Sequence, residues 1–350
     1  MNQLFRTMIF ALTFTFAAAA LRAQTMRDTA ALLPESDVII FGDMRRILTE
    51  ALPQMFAKDP VTLTQISAEI DKVKAETGID IRQFERLAVG YRAPRTGAGF
   101  ANGEFVVVLQ GSFNTDALLL AAKLALKDRL RDERHNGKTI YLMKTEKRSR
   151  AASNGPSASV PANMKEIAVA AINHGTIVAG VPAAVRRALD TETGASQALV
   201  ALATRDESAL IGMAANILPS LKTQLGGAPA DDPLMKAFDS VTQVYAAMNM
   251  EGTNLGLAIA ALTDGPEQAA ALHQSVLALK DQITASLPDP RLRDLFNSVQ
   301  TSLSGNEVQA RFEMPLSMIA SLTRQPPART RRPVRKRRPA TRRRAVRTIA

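Results

Sequence analysis

The sequence predicts an α+β protein of two similar halves, each a mainly antiparallel sheet with helices packed on one face, followed by a disordered C-terminal tail. Three observations carry this. Short β-branched and apolar runs recur at hairpin-like spacings, the pattern of antiparallel strands. Two stretches, Gly103–Leu130 and Gly252–Ile283, each run from an apolar strand through a turn into a helix-period segment containing Leu-Ala-Leu-Lys-Asp. Finally, residues 325–350 hold eleven Arg or Lys, four prolines and no Asp or Glu, a composition with no core to bury.

The amino terminus reads as an address. A short basic segment, Met1–Arg6, precedes an apolar run of 14 residues, Met8–Leu21. That is shorter than the roughly 20 residues of a bilayer-spanning helix and matches the apolar region of a signal peptide. Residues 1–23 are therefore expected to be a signal peptide cleaved after Ala23, and residues 24–33 a loose lead-in.

The first α+β unit is expected over residues 34–204. Asp37–Gly42 is its opening strand, Asp43 caps a helix over Met44–Phe56, and Asp59-Pro60 starts a second helix that Gly78 stops. Val61, Ile66, Ile70 and Val73 form the buried stripe of that helix. Phe84–Tyr91 and Phe105–Gln110 are strands, and Asn114 or Asp116 opens the next helix. Leu119, Leu126 and Leu130, spaced seven and four apart, give that helix its packing face. Asn136-Gly137 turns into a strand at Thr139–Met143. Residues 146–163, rich in Ser, Ala and Lys/Arg, read as a flexible insert. Strands follow at Glu166–Asn173 and Thr176–Ala179, then helices from Pro182 to Leu189 and over Ala195–Thr204.

The second unit, residues 205–324, runs in the same order. It has a strand at Ala209–Met213, a helix over Ala215–Leu225, strands at Phe238–Met248 and Leu255–Ala261, and a helix capped by Asp264. Leu272, Leu279 and Ile283 repeat the seven-and-four spacing. A helix over Leu292–Leu303 and a strand at Val308–Phe312 complete it. The shared order of elements favours an internal duplication.

Leu33-Pro34-Glu35-Ser36-Asp37, a strand, then Asp43 and a helix resemble the repeated unit of exported bacterial proteins with domains of unknown function of the DUF3352 type. The resemblance implies export and a duplicated α+β body, and brings no catalytic residues.

Chemistry is sparse. Without cysteine there are no disulfides, thiolate metal sites or cysteine nucleophiles. The three histidines, His135, His174 and His273, share no metal-binding spacing. Gly137-Lys138-Thr139 ends like a phosphate loop, but Asp132 stands where its first glycine belongs, so an Asn-Gly hairpin is the better reading. Gly97-Ala98-Gly99 lacks the third glycine of a dinucleotide loop. Two adjacent carboxylate pairs, Asp132-Glu133 and Asp231-Asp232, read as solvated charges. Trp is absent and Tyr rare, which leaves little for stacking on sugars or bases. No cofactor, metal or catalytic residue is expected.

The net charge of +11 belongs to the tail alone, because the rest of the chain balances 33 basic against 33 acidic residues. Arg331, Arg332, Arg335, Lys336, Arg337, Arg338, Arg342, Arg343 and Arg344 form the candidate polyanion-binding set, since guanidinium forks pair with phosphate and carboxylate oxygens. For an exported chain, the partners implied are anionic envelope polymers or lipid headgroups, ahead of nucleic acid. The reading is an exported, periplasmic or extracellular, non-enzymatic protein held at anionic surfaces by its tail. A secreted hydrolase with a carboxylate-based site and a nucleic-acid binder acting through the tail stay open beside it.

Overall fold

In the computed structural model, the residues described are 26–94, 102–126, 129–144, 165–190, 194–219, 233–316 and 318. Within them twelve strands join one antiparallel sheet. In chain order they are β1 (Val38–Asp43), β2 (Phe84–Arg92), β3 (Glu104–Gly111), β4 (Leu130–His135), β5 (Lys138–Lys144) and β6 (Glu166–Asn173). β7 (Thr176–Gly180), β8 (Ile211–Asn216), β9 (Val241–Glu251), β10 (Asn254–Thr263), β11 (Gln300–Ser304) and β12 (Glu307–Pro315) follow. Their spatial order is β11-β12-β10-β9-β8-β1-β2-β3-β7-β6-β5-β4. The α+β class and the antiparallel pairing are as the strand pattern predicts. The strands of residues 34–204 and of 205–324 join directly where β1 pairs β8, with Ile40 opposite Met213.

The helices are α1 (residues 26–31), α2 (residues 44–55, with a π turn at Ile47–Ala51), α3 (Pro60–Thr77), α4 (Thr115–Leu126) and α5 (Pro182–Leu189). α6 (Gln197–Ala203), α7 (Pro233–Phe238), α8 (Pro266–Ser286) and α9 (Pro290–Asn297) follow, and a short 3₁₀ turn at Ile81–Gln83 leads into β2. Local chemistry sets several ends. The Asp43 carboxylate accepts the Arg46 N–H at 3.0 Å, and Asp59 accepts that of Thr62 at 3.1 Å. Asn114 accepts from Asp116 and Ala117, satisfying donors at the start of α4. Gly78, at φ 73°, ends α3 in the left-handed region that favours glycine. Asn136 and Gly137, at φ 46° and 76°, make the β4–β5 hairpin turn.

Helices lie on both faces of the sheet. Side chains of α1, α5 and α6 share a core with Ile39, Ala88, Val106, Val108, Tyr245 and Ala260. Ala269 and Leu272 of α8 pack instead with Val308, and with Val244 and Ala261, the immediate neighbours of Tyr245 and Ala260. Successive strand residues point to opposite faces, so these two cores lie on opposite sides.

The structure corrects several local expectations. Of the expected lead-in, residues 26–33 are packed and not loose: Met26, Thr29, Ala30 and Leu33 are all buried. Leu130 belongs to β4 and not to α4; the first copy of the Leu-Ala-Leu-Lys-Asp motif has its three apolar residues in α4 and its Lys127-Asp128 outside the described residues, while the second lies wholly inside α8. Val61 is 65% exposed, and Ile70 is the buried member of its stripe. Ala215 and Asn216 extend β8 instead of opening a helix, and Phe238 closes α7 before β9 begins. α8 starts after Gly265 with no side-chain cap from Asp264. β11 replaces the end of the helix expected over Leu292–Leu303. The signal segment, the whole 146–163 insert and the basic tail lie outside the described residues.

α1 follows directly on the expected cleavage point, yet it is integral to the core. Leu33→Ala should cost about 2–5 kcal/mol, the range for emptying a fully buried leucine site. Val61→Ser should cost under about 0.5 kcal/mol. Urea midpoints of the two variants check the contrast.

Candidate functional site

Among the described residues, the cover that α1, α5 and α6 give their face of the sheet reaches Tyr245 of β9 and Ala260 of β10 and stops short of β12 and β11. α6 ends at Ala203, and its terminal carbonyl sits 2.0 Å from where a Cβ on residue 212 would stand, so Gly212 permits the close approach. Residues 205–208 then turn into β8 and form one wall of a groove. The floor is set by register: Tyr245 lies beside Ala260, Ala260 beside Gln309, Ala258 beside Arg311, and Arg311 beside Gln300. β12 alternates Glu307, Gln309, Arg311 and Glu313 into the groove with Val308, Ala310, Phe312 and Met314 toward the other face. The groove has a volume of about 1020 Å³ and is partly open to solvent.

Its organising contact is a triad on three elements. Arg205 Nη1 donates to Tyr245 Oη and to Glu307 Oε2, both at 2.7 Å. The Tyr245 hydroxyl donates to Glu307 Oε1 at 2.6 Å. The Arg205 guanidinium carbon also stands 5.0 Å from the Tyr245 ring centroid. Tyr245 is only 4% exposed, and burial together with the neighbouring Glu307 carboxylate pushes its phenol up to about 12. Burial works to raise Glu307, but the hydrogen bonds from Arg205 and Tyr245 outweigh it and hold the carboxyl below its usual range. The hydrogen bond to Glu307 holds Arg205 firmly protonated. Each group is thus fixed in its ordinary charge state and engaged with the others. Five carboxylates and two guanidiniums line the groove, which suits hydrogen bonding to an extended polar chain.

The sites singled out in the sequence fall elsewhere. Asp132 and Glu133 are adjacent on β4 and so point to opposite faces: Asp132 pairs with Lys123 of α4 at 2.7 Å, and Glu133 grips Arg186 of α5 at 2.8 and 2.9 Å. They cannot act as one carboxylate pair. Asp231-Asp232 and Gly97–Gly99 lie outside the described residues, as do Arg331, Arg332, Arg335, Lys336, Arg337, Arg338, Arg342, Arg343 and Arg344. His135 meets Asp190 at 2.7 Å, His273 meets Thr301 at 3.0 Å, and His174 sits in the β6–β7 turn. Among the described residues no group of three or more His, Asp or Glu could hold a metal ion, and no helix is long and apolar enough to cross a membrane. The groove itself escaped the sequence reading, although the polar–apolar alternation from Glu307 to Met314 was its visible sign.

No protein-family model and no curated protein matches the chain. Among solved structures it is similar to three crystal forms of TP0453. Form III aligns at 9% identity with a TM-score of 0.46, over 84% of this chain and 96% of the other. Form IV gives 9% and 0.43, over 84% and 95%. Form I gives 8% and 0.46, over 84% and 95%.

The triad predicts an alkaline signature. A phenol whose folded pKa exceeds its unfolded value favours the folded state below the unfolded pKa and loses that contribution as pH rises. The window runs from 10.0 to about 12. Tyr245→Phe should lower stability by about 1 kcal/mol near neutral pH. The gap between variant and parent in urea midpoint should then close across that window.

Proposed function

We propose that the chain is an exported, non-enzymatic, envelope-associated binding or structural protein, held at anionic surfaces by residues 325–350. The observation that carries the proposal is charge segregation: a body of balanced charge joined to eleven basic residues without one acidic residue. Such a segment attracts phosphate- or carboxylate-bearing surfaces, at roughly 1 kcal/mol per basic residue close to a charged membrane. With residues 1–23 removed the body holds 31 basic against 33 acidic residues, a small opposing charge beside that of the tail. The groove supports the non-enzymatic reading, since Tyr245 is held neutral and Glu307 ionised near neutral pH, leaving neither poised to move a proton. Periplasmic or extracellular residence rests on the basic, apolar and small-residue pattern of residues 1–23. We also read the two halves as copies, supported by the shared run of neighbouring strands β1-β2-β3 and β8-β9-β10.

The test compares the protein with a version ending at Arg324. Both are applied to phosphatidylcholine vesicles with and without phosphatidylglycerol, and to DNA, as salt is raised. The parent should be retained on the anionic vesicles at low salt and released steeply as salt increases, while the truncated form washes through. Equal retention of both forms would sink the tether. Retention on DNA alone would move the tail's partner to nucleic acid, and cytosolic recovery with residues 1–23 intact would overturn export.

A further inference from the structure

Among the described residues the sheet is open, and its two edges are built differently. β4 is charged along its length, with Arg131, Asp132, Glu133 and Arg134 in succession. Its acidic residues are committed to helices, Asp132 to α4 and Glu133 to α5. If two copies of β4 paired antiparallel along the whole strand, Arg131 would face Arg134 and Asp132 would face Glu133. Like charges directly opposed disfavour that ladder. β11 has the contrary character. Gln300, Thr301, Ser302, Leu303 and Ser304 carry no charge and no proline, and their register with β12 runs without a bulge. The devices that usually blunt an edge strand are absent from this sequence apart from its shortness.

From these edges we infer that β11 is a pairing surface for a second copy of the chain. In the antiparallel arrangement that uses the whole strand, Ser302 faces its own copy across a two-fold axis. Thr301 then faces Leu303, and Gln300 faces Ser304. No like charges meet. Thr301 and Leu303 lie on the side of the sheet that α8 covers, opposite Ala310 and Val308. Leu303 is 42% exposed in the single chain, and a copy of Thr301 beside it would cover part of that surface. Two-fold pairing also closes the assembly, whereas joining β11 to β4 would leave a free edge at each end and grow without limit.

The pairing has a consequence for the groove. Gln300 and Ser304 of β11 form part of its lining. Two copies joined at β11 would bring two grooves together as one continuous polar floor, with each chain supplying an edge of the other's site. This inference is independent of the tail's role.

The chain has no cysteine, which gives a clean test. Directly opposed residues of an antiparallel pair stand about 4.5–5.5 Å apart between Cα atoms, within reach of a disulfide. Two Ser304 positions would stand about 14 Å apart, beyond reach. The protein, as the cell processes it, is compared with Ser302→Cys, Ser304→Cys and Ser302→Lys variants. We expect concentration-dependent dimers in sedimentation velocity, and rapid oxidative cross-linking of Ser302→Cys but not of Ser304→Cys. Ser302→Lys, at an exposed position, should keep the fold by circular dichroism and weaken the dimer roughly fivefold or more. A parent that stays monomeric at every concentration would overturn the inference. So would equal cross-linking at both positions, or a dimer indifferent to Ser302→Lys.

Discussion

The β1–β8 ladder is the contact on which the rest of the sheet depends. β1 takes β2 on one side and β8 on the other, so every strand of residues 34–204 reaches every strand beyond 205 through this pair. Its register, Val38 against Ala215 and Gly42 against Ile211, sets which residues of both halves share a face. A slip of one residue would turn the buried Ile39, Phe41 and Ala214 toward the opposite side. Burial enforces the register here more strongly than at either edge, because Ile39 and Ala214 are fully buried.

From that register follows the asymmetry that makes the groove. On the face carrying Ile39, the first strands present Ala88, Val106, Val108 and Val178, and α1, α5 and α6 cover them. Farther along the same face β12 presents Gln309, Arg311 and Glu313, side chains that keep water contact and need no covering helix. The triad of Arg205, Tyr245 and Glu307 stands at the boundary between the two regimes. It ties the turn after α6 to β9 and β12 by hydrogen bonds where the packed core runs out. A partly buried network of this kind is stable only when each member finds a partner, and here the three do so among themselves.

Strands with a buried face were legible in the sequence, and those without one were not. Ten of the twelve strands coincide at least in part with runs read from apolar and β-branched residues. The two that were missed, β4 and β11, are the two edges of the sheet. Leu-Arg-Asp-Glu-Arg-His and Gln-Thr-Ser-Leu-Ser carry little apolar alternation because an edge strand has little to bury. α1 was missed for a different reason. Its six residues lie just after an expected cleavage point and are too few for helical periodicity to show, and only the tertiary core reveals Met26 and Ala30 as buried. The candidate site was legible in part. β12 showed its polar alternation, but Arg205 and Tyr245 lie 40 residues apart in sequence, and Tyr245 and Glu307 a further 62. Nothing local announces that three such residues meet.

The distribution of charge separates two ranges of interaction. A body with as many acidic as basic residues has little net field beyond a Debye length, about 8 Å at physiological ionic strength. Long-range attraction is therefore governed by the eleven basic residues beyond 325. Contacts made by the body must instead be short-ranged, and the open floor of β9, β10, β12 and β11 offers them through hydrogen bonds and paired charges. Raising salt weakens the first kind of contact far more than the second, because paired and partly buried charges are screened less than exposed ones. A partner held mainly by the tail would be released as salt rises, whereas one seated on the groove would be held by geometry.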